Sequence, residues 1–437
     1  MNADALQLGF CRRPATRTAL RRFIADHWKS DVCQAMSDQA EVFVNALTSS
    51  AKKGEVVLFV AVHRGNFPSI EYVAHGLSQS GIATHALYLH SDPPQQVYDH
   101  ALTLDSSLAL LWQIAQRLSA LPVYLQCHAK WIFLNAFLTE ANPKLRIRHE
   151  IFDWMAPFIG DQLDLFEQEG VFSREEMHWM LDGEEQVRAA SDGLFHKSDG
   201  PWVEEHVKKA EAPDLCVMPC PPKSWFRESR TPAPIPPEGP FRLVYPGQIK
   251  PPGEQRRIFG VMNFLPMIQS FGRQGVDFSI HHPIYYSPSE SQRVFADYHR
   301  EADGNPHFKF LPGVPLPDLL DHLVGRYHLG LVANFFDDDF AVGWSHTEEC
   351  MSSKLFVYLA AGLPVLVSEE YRFMARFVQE REIGVVVSRS ELENLVPVLE
   401  RIDWSALSTR VIEARSDLHV DANTPKILDF MGVGEQP

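Results

Sequence analysis

The stretch Ser352 to Ser368, SSKLFVYLAAGLPVLVS, constrains this chain more than any other, because it reads as a helix followed at once by a buried strand. Ser352 and Ser353 both suit a helix cap, since a hydroxyl accepts from the unpaired N–H groups of the first turn. Leu355, Tyr358 and Leu359 recur at helical spacing, Gly362 supplies the stop, and Pro364 to Val367 is a short apolar run. A helix delivered onto a strand in this way is half of an α/β unit. Its N-terminus offers N–H groups and the positive end of the peptide dipoles, and Lys354 adds a full charge in the first turn. The spot suits a diphosphate; an ordinary α/β turn with a solvated lysine is the alternative.

The same alternation runs along most of the 437 residues. In the first half, strands are expected at Val56 to Val62, Thr84 to Leu89, Val123 to Cys127 and Arg146 to Phe152. In the second half they are expected at Phe241 to Tyr245, Val276 to His281, His307 to Leu311, Leu329 to Val332, Pro364 to Val367 and Gly384 to Val387. Amphipathic helices fill most gaps, as where Ile70, Val73 and Leu77 form a stripe closed by Gly81. Strands alternating with helices predict parallel sheets covered on both faces. Between the two sets, Pro219 to Pro240 is rich in proline, which blocks helix continuation and sheet pairing alike. The expected division is a helical extension over 1–54, a Rossmann-like domain over 55–221, a linker over 222–240 and a second Rossmann-like domain over 241–437. Ligands of such sheets bind at the C-terminal strand edges, so a cleft between the domains is the expected site.

Composition narrows the function classes. Hydrophobic residues make up 45% and charged residues 22%, ordinary values for a globular chain. A formal net charge of -16 argues against a duplex nucleic-acid partner, which needs a basic face. Cys11, Cys33, Cys127, Cys216, Cys220 and Cys350 are scattered without CxxC spacing, so neither a disulfide framework nor a zinc site is indicated. No N-terminal segment resembles a signal peptide and no apolar run approaches the roughly 20 residues of a membrane span, so a cytoplasmic protein is expected. Within the first thirty residues, Arg12, Arg13, Arg17, Arg21, Arg22 and Lys29 outnumber Asp4 and Asp26. Such a segment fits either peripheral contact with the inner face of a membrane or a solvated helical face.

In order along the chain stand VVLFVAVHRGNFPSIEYVAHGLSQSGIATHALYL, HEIFDWM, VMPCPPKSWF, LVYPGQI, FKFLPGVPLPDLLDHLVGRYHLGLV and KLFVYLAAGLPVLV. Over roughly residues 55 to 430 this series resembles the GT-B glycosyltransferases, specifically the large retaining group with a KLFEYLAAGxPV-like C-terminal segment. The resemblance implies two Rossmann-like domains facing across a cleft. It also implies a nucleotide-diphosphate-sugar donor held by the second domain without metal or other cofactor, and an acceptor, unknown in kind (glycan, lipid, protein or small molecule), held by the first. Closing helices after Ser405 are then expected to pack back toward the first domain.

The resemblance also carries residues. Glu349 stands where the family has a glutamate near the donor sugar, and Val357 where it has a second one holding the ribose. Gln248 occupies the usual position of an arginine after the strand that opens the second domain, with Lys250, Arg256 and Arg257 nearby. The diphosphate charge is therefore assigned first to Lys354 with Ser353 at the helix end, and next to Lys250. In the first domain, Gly65 lies in the loop after the opening strand, where it brings backbone close to a ligand. His128 matches a family histidine near the transferred sugar, and Asp153 faces the same cleft. The run Asp337 to Asp339 reads as a loop rather than a metal site, and His281, His282, Tyr285 and Tyr286 as either a stacking cluster or a surface loop. Because Val357 and Gln248 depart from the pattern, a catalytically silent GT-B binding or scaffold subunit stands as the alternative to a transferase, and a nucleotide-sugar epimerase as a third reading.

Overall fold

The structure, a computed structural model, describes residues 6–63, 69–94, 96–227, 239–336 and 340–433. Gly65, the run Asp337 to Asp339 and most of the proline-rich stretch lie outside the described residues. The chain divides into two compact units, residues 1–219 with 420–437, and residues 220–419. The extension over 1–54 belongs to the first unit, and the division falls at 219/220; of the closing helices expected after Ser405 to return to the first domain, the segment from Val420 onward belongs to the first unit and helix Trp404–Ala414 to the second.

The first unit is built on β1 (Val56–Ala61), β2 (Ala83–Tyr88), β3 (His100–Thr103), β4 (Pro122–Gln126), β5 (Arg146–Glu150), β6 (Gly193–His196) and β7 (Asp214–Cys216). They form one sheet in the order β3-β2-β1-β4-β5-β6-β7, every pairing parallel. β1 is buried along its whole length, which is why it reads as an unbroken apolar run instead of an alternating one. Of these seven strands, β3, β6 and β7 were not expected from the sequence.

The N-terminal residues form helices Pro14–Asp26, Ser30–Ala35 and Ser37–Lys53. The first of them packs on helix Arg174–Ala190. Arg12, just before it, pairs with Glu185, and its backbone N–H donates to Asp182 Oδ2 at 3.0 Å. Part of the basic segment is thus met by acids of its own unit. No described helix is long and apolar enough to cross a membrane. Helix Val420–Met431 packs on helix Ser69–Gln79.

The second unit carries β8 (Arg242–Pro246), β9 (Asp277–His281), β10 (Phe308–Leu311), β11 (Leu329–Val332), β12 (Val365–Ser368) and β13 (Gly384–Val387). Their order is β10-β9-β8-β11-β12-β13, again all parallel. All six correspond to strands expected from the sequence, with ends shifted by one residue at most. Leu243, Phe278, Leu331 and Leu366 from the sheet and Phe271 and Leu399 from its helices form one buried cluster. Both sheets reverse strand order beside their first strand, β1/β4 in one and β8/β11 in the other. In doubly wound sheets that reversal opens a crevice at the C-terminal strand ends, where ligands bind.

Candidate functional site

In the second unit the crevice is occupied by the start of helix Ser353–Ala360, which links β11 to β12. Ser352 is its N-cap, its Oγ accepting from Lys354 N–H at 3.3 Å. At the other end Gly362, at φ +75°, lets the chain leave the helix: Leu363 N–H donates to Tyr358 C=O and Gly362 N–H to Leu359 C=O, both at 2.9 Å. That is the left-handed glycine stop expected from the sequence. The helix is pinned on the sheet by Tyr358, whose hydroxyl donates to Leu331 C=O at 2.9 Å and lies 3.3 Å from Val244 C=O.

Lys354 lies back across Gly247, the residue after β8. A Cβ on Gly247 would fall 2.3 Å from Lys354 Cε and 3.3 Å from Nζ, so a side chain there would push the lysine's end aside. The ammonium sits 5.2 Å from the centre of the Tyr245 ring. Tyr245 donates through its hydroxyl to Gln248 C=O at 2.8 Å, and Tyr285 donates to Gln248 Oε1 at 2.6 Å. Gln248, at the family's arginine position, is therefore a neutral, tethered side chain. A capped helix end, a cation and a glycine at the strand-order reversal are together suited to holding an anion.

The other expected donor-side residues differ in setting. Ser353 is the first residue of the same helix and half-buried. Lys250 lies in the loop after β8, but its ammonium is 2.9 Å from Glu254 Oε1 and 5.1 Å from the Phe259 ring centre. Glu349 ends helix Trp344–Glu349 and is only 4% exposed, so its carboxylate is not a solvated one. Val357 is 6% exposed. A glutamate there would bury its carboxylate, at a cost unless a ligand paired it.

In the first unit, residues just past β4, β5 and β6 converge. His128 precedes the short turn Ala129–Trp131, and Ala129 takes a left-handed φ of +49°, unusual for a residue with a Cβ. Burial pushes the His128 imidazole below its ordinary pKa; the Asp153 carboxylate opposes this, while His63 and Lys197 add to it. Asp153 Oδ1 lies 3.2 Å from Lys197 Nζ, and that buried ammonium stands 3.7 Å from the centre of the Phe152 ring. A buried lysine needs such a partner. Below this group Gln126 donates to Ser69 Oγ at 3.0 Å and to Glu150 Oε2 at 2.5 Å. Burial raises the Glu150 pKa, and hydrogen bonds from Ser69, Gln126 and Tyr124 hold it down.

The structure thus brings His128 together with Asp153, as expected, and adds Lys197, which the sequence did not reveal. Lys197 follows β6, whose four residues Gly193–His196 contain only two large apolar side chains, too weak a signal for a strand. A second group also went unread. His63 follows β1, His90 follows β2 and Trp131 follows β4, and their rings are neighbours: 4.8 Å between the two imidazoles and 4.9 Å from His90 to Trp131.

Two all-parallel sheets of this order, each with its ligand crevice at the strand-order reversal, are the architecture of the GT-B glycosyltransferases. Solved structures agree. Sucrose-phosphate synthase from Thermosynechococcus elongatus is similar at a TM-score of 0.59 and 12% identity, over 86% of this chain and 98% of that one. The α,α-trehalose-phosphate synthase (UDP-forming) of Burkholderia vietnamiensis is similar at 0.54 and 12% identity, over 87% and 98%. AviGT4, a glycosyltransferase involved in avilamycin A biosynthesis, is similar at 0.51 and 12% identity, over 86% and 97%. At such identities the likeness establishes the GT-B fold and leaves the reaction open. Residues 284–428 match the C-terminal domain of glucosyltransferase 3-like proteins. No curated protein matches the chain in sequence.

Proposed function

We propose that this protein is a glycosyltransferase that moves a sugar from a nucleotide-diphosphate donor to an acceptor, with retention of anomeric configuration and without metal. The observation that carries the reading is Lys354 at the capped start of helix Ser353–Ala360, laid across Gly247 where the second sheet reverses its strand order. A departing diphosphate gathers negative charge, and fixed positive charge and aligned N–H groups lower the barrier most when they are already in place. In this reading Lys354 and the Ser353 end of the helix hold the diphosphate, and Glu349 and His128 orient the transferred sugar. A phosphate oxygen of the donor helps take the acceptor proton. Lys250 ranks behind Lys354 because Glu254 already engages it.

A second reading, a silent GT-B binding protein, is favoured by the tethered neutral Gln248 and the buried Val357 at positions where the family places charge. One experiment separates them. Isothermal titration with UDP, GDP and ADP and their glucose or mannose conjugates should find one nucleotide class that binds, and Lys354→Ala should weaken it at least about tenfold, the effect of losing one charge-assisted hydrogen bond. Unchanged affinity in that variant would remove the diphosphate assignment. Tight donor binding with neither transfer nor hydrolysis would favour the silent reading.

A further inference from the structure

The loops after β1, β2 and β4 of the first unit gather rings at the edge of the hydrophobic core, outside the proposed donor site; Trp131 rests with one side on buried Phe133, ring centres 5.9 Å apart. His63 stacks on His90 with centroids 4.8 Å apart and planes 20° from parallel. Trp131 stands edge-on to His90 at 4.9 Å and to His27 at 5.0 Å. Phe23 backs the group, 4.5 Å from His27 and 5.0 Å from Trp131. Core aromatics nearby, such as Phe133 and Tyr124, are 1% exposed, whereas His63 is exposed and His27, His90 and Trp131 are half-buried. These rings therefore form a rim at the C-terminal edge of the sheet.

From this rim we infer a binding platform for a neutral pyranose ring, the acceptor being a saccharide that lays one C–H face on Trp131 and the imidazoles and hydrogen-bonds its hydroxyls to the imidazole nitrogens. The inference rests on the transferase reading above and names the acceptor's chemical class. His27 and His90 each keep a ring nitrogen without a hydrogen-bond partner among the described residues. His27 Nδ1 donates to Phe23 C=O at 2.7 Å, which leaves Nε2 as the ring's remaining polar atom. His90 Nδ1 is 2.6 Å from Ser106 Oγ, which again leaves Nε2.

The imidazoles themselves offer little to an anionic acceptor. Burial brings His90 down to about 4, with His63, His27 and Lys29 adding to the shift, and burial lowers His63 as well, so neither ring is cationic at neutral pH. Of the nearby ammonium groups, Lys130 pairs with Glu176 at 2.5 Å and Lys197 with Asp153, while Lys29 donates to the neutral Asp105 C=O at 2.9 Å and keeps its charge. An acyl chain would fit no better, because it would cover the imidazole nitrogens without bonding them. A sugar ring meets both demands, apolar on its face and hydroxylic at its edge. His63 is close enough to His128 to act on its charge, which links the platform to the residue assigned to the transferred sugar.

Saturation-transfer NMR on the full chain tests the platform with methyl α- and β-glucopyranoside, maltose and cellobiose as probes, against sorbitol, inorganic phosphate and octanoate as controls. A pyranoside should bind with transfer concentrated on its ring C–H protons. Trp131→Ala should weaken it at least about tenfold, about 1.4 kcal/mol, and Trp131→Phe much less, since phenylalanine keeps an aromatic face. The circular dichroism spectrum and UDP affinity of both variants should match wild type, which excludes general misfolding. Equal pyranoside binding by Trp131→Ala, binding of sorbitol as strong as that of pyranosides, or preference for phosphate or octanoate would each overturn the inference. So would the absence of pyranoside binding with and without nucleotide. Failure of the platform with nucleotide binding and Lys354 dependence intact leaves the transferase reading standing; Trp131-dependent saccharide binding without any nucleotide binding fails that reading and keeps the platform.

Discussion

Replacing Gly330 by alanine should damage the second unit's fold and its anion site together. Gly330 lies in β11 directly beneath the Tyr358 ring: an added Cβ would fall 2.2 Å from Cγ and 2.4 Å from both Cδ atoms. Ordinary carbon contacts are about 3.5–4.0 Å, so the ring must retreat by more than about 1 Å. It cannot do so freely, because Tyr358 is fully buried and its hydroxyl is held by Leu331 C=O and Val244 C=O. Overpacking costs about 1–3 kcal/mol, and a weakened buried hydrogen bond adds about 1 kcal/mol, so roughly 2–4 kcal/mol is expected. Lys354 lies one turn before Tyr358 on the same helix face, and the displacement therefore reaches its ammonium above Gly247. Urea unfolding, with hydrogen exchange over residues 353–360 to localise the loss, gives the stability change, and titration with the nucleotide that binds wild type gives the site change. Against a Tyr358→Ala background the same change should cost much less, a recovery that comes from removing the Cγ and Cδ atoms the methyl meets. Wild-type stability and affinity in Gly330→Ala, or no recovery in the double variant, would refute the mechanism.

Three further outcomes are expected. His128→Ala should lower turnover far more than nucleotide affinity if His128 meets the transferred sugar, as a comparison of kcat with the donor Kd would show, and equal losses of stability and activity would make it structural. Val357→Glu should lower the melting temperature of the unliganded protein, and a larger nucleotide-induced rise than in wild type would place the ribose beside residue 357. His149, fully buried, has its pKa brought down to about 4 by burial, so the unfolded chain takes up a proton there from about pH 6.5 downward while the folded chain does not. Its contribution is fully present above that pH and lost as pH falls toward 4, at about 1.4 kcal/mol per pH unit; urea midpoints for His149→Gln should fall less steeply over this range than those of wild type, and an identical slope would refute the assignment.

The second sheet was legible because each strand is a local signal. Leu329–Val332 and Val365–Ser368 are short apolar runs, each bordered by residues that stop a helix or turn the chain. Lys354 was legible for the same reason, its cap, charge and glycine stop lying within one short segment. β3, β6 and β7 were not, since HALT, GLFH and DLC are paired through their backbones and carry too few apolar side chains to announce themselves. Missing β6 hid Lys197. The His63, His90 and Trp131 rings escaped for a different reason. Their meeting depends on three loops brought to one sheet edge by crossovers, a relation that no local spacing encodes. Val357 was read as a departure from a motif, and only the structure showed how completely its side chain is covered.

Helix Val420–Met431 gives the chain an unusual order of assembly. Arg148 Nε donates to Phe430 C=O at 2.5 Å, the Phe195 and Phe430 rings are 4.9 Å apart, and Gly76 has no room for a Cβ because Thr424 Oγ1 would lie 2.3 Å from it. The groove that receives this helix is thus built from residues before 219, while the whole of the second unit, residues 220–419, is threaded between them. As the chain leaves the ribosome at about 5–20 residues per second, the unit begun first must wait for the second to be synthesised before its groove is filled. During that interval Phe195 and the small-residue face at Gly76 stand uncovered. The nascent first unit should therefore expose apolar surface until residue 431 is made, and nonsense mutations just past residue 419 should leave the second unit whole while the first fails.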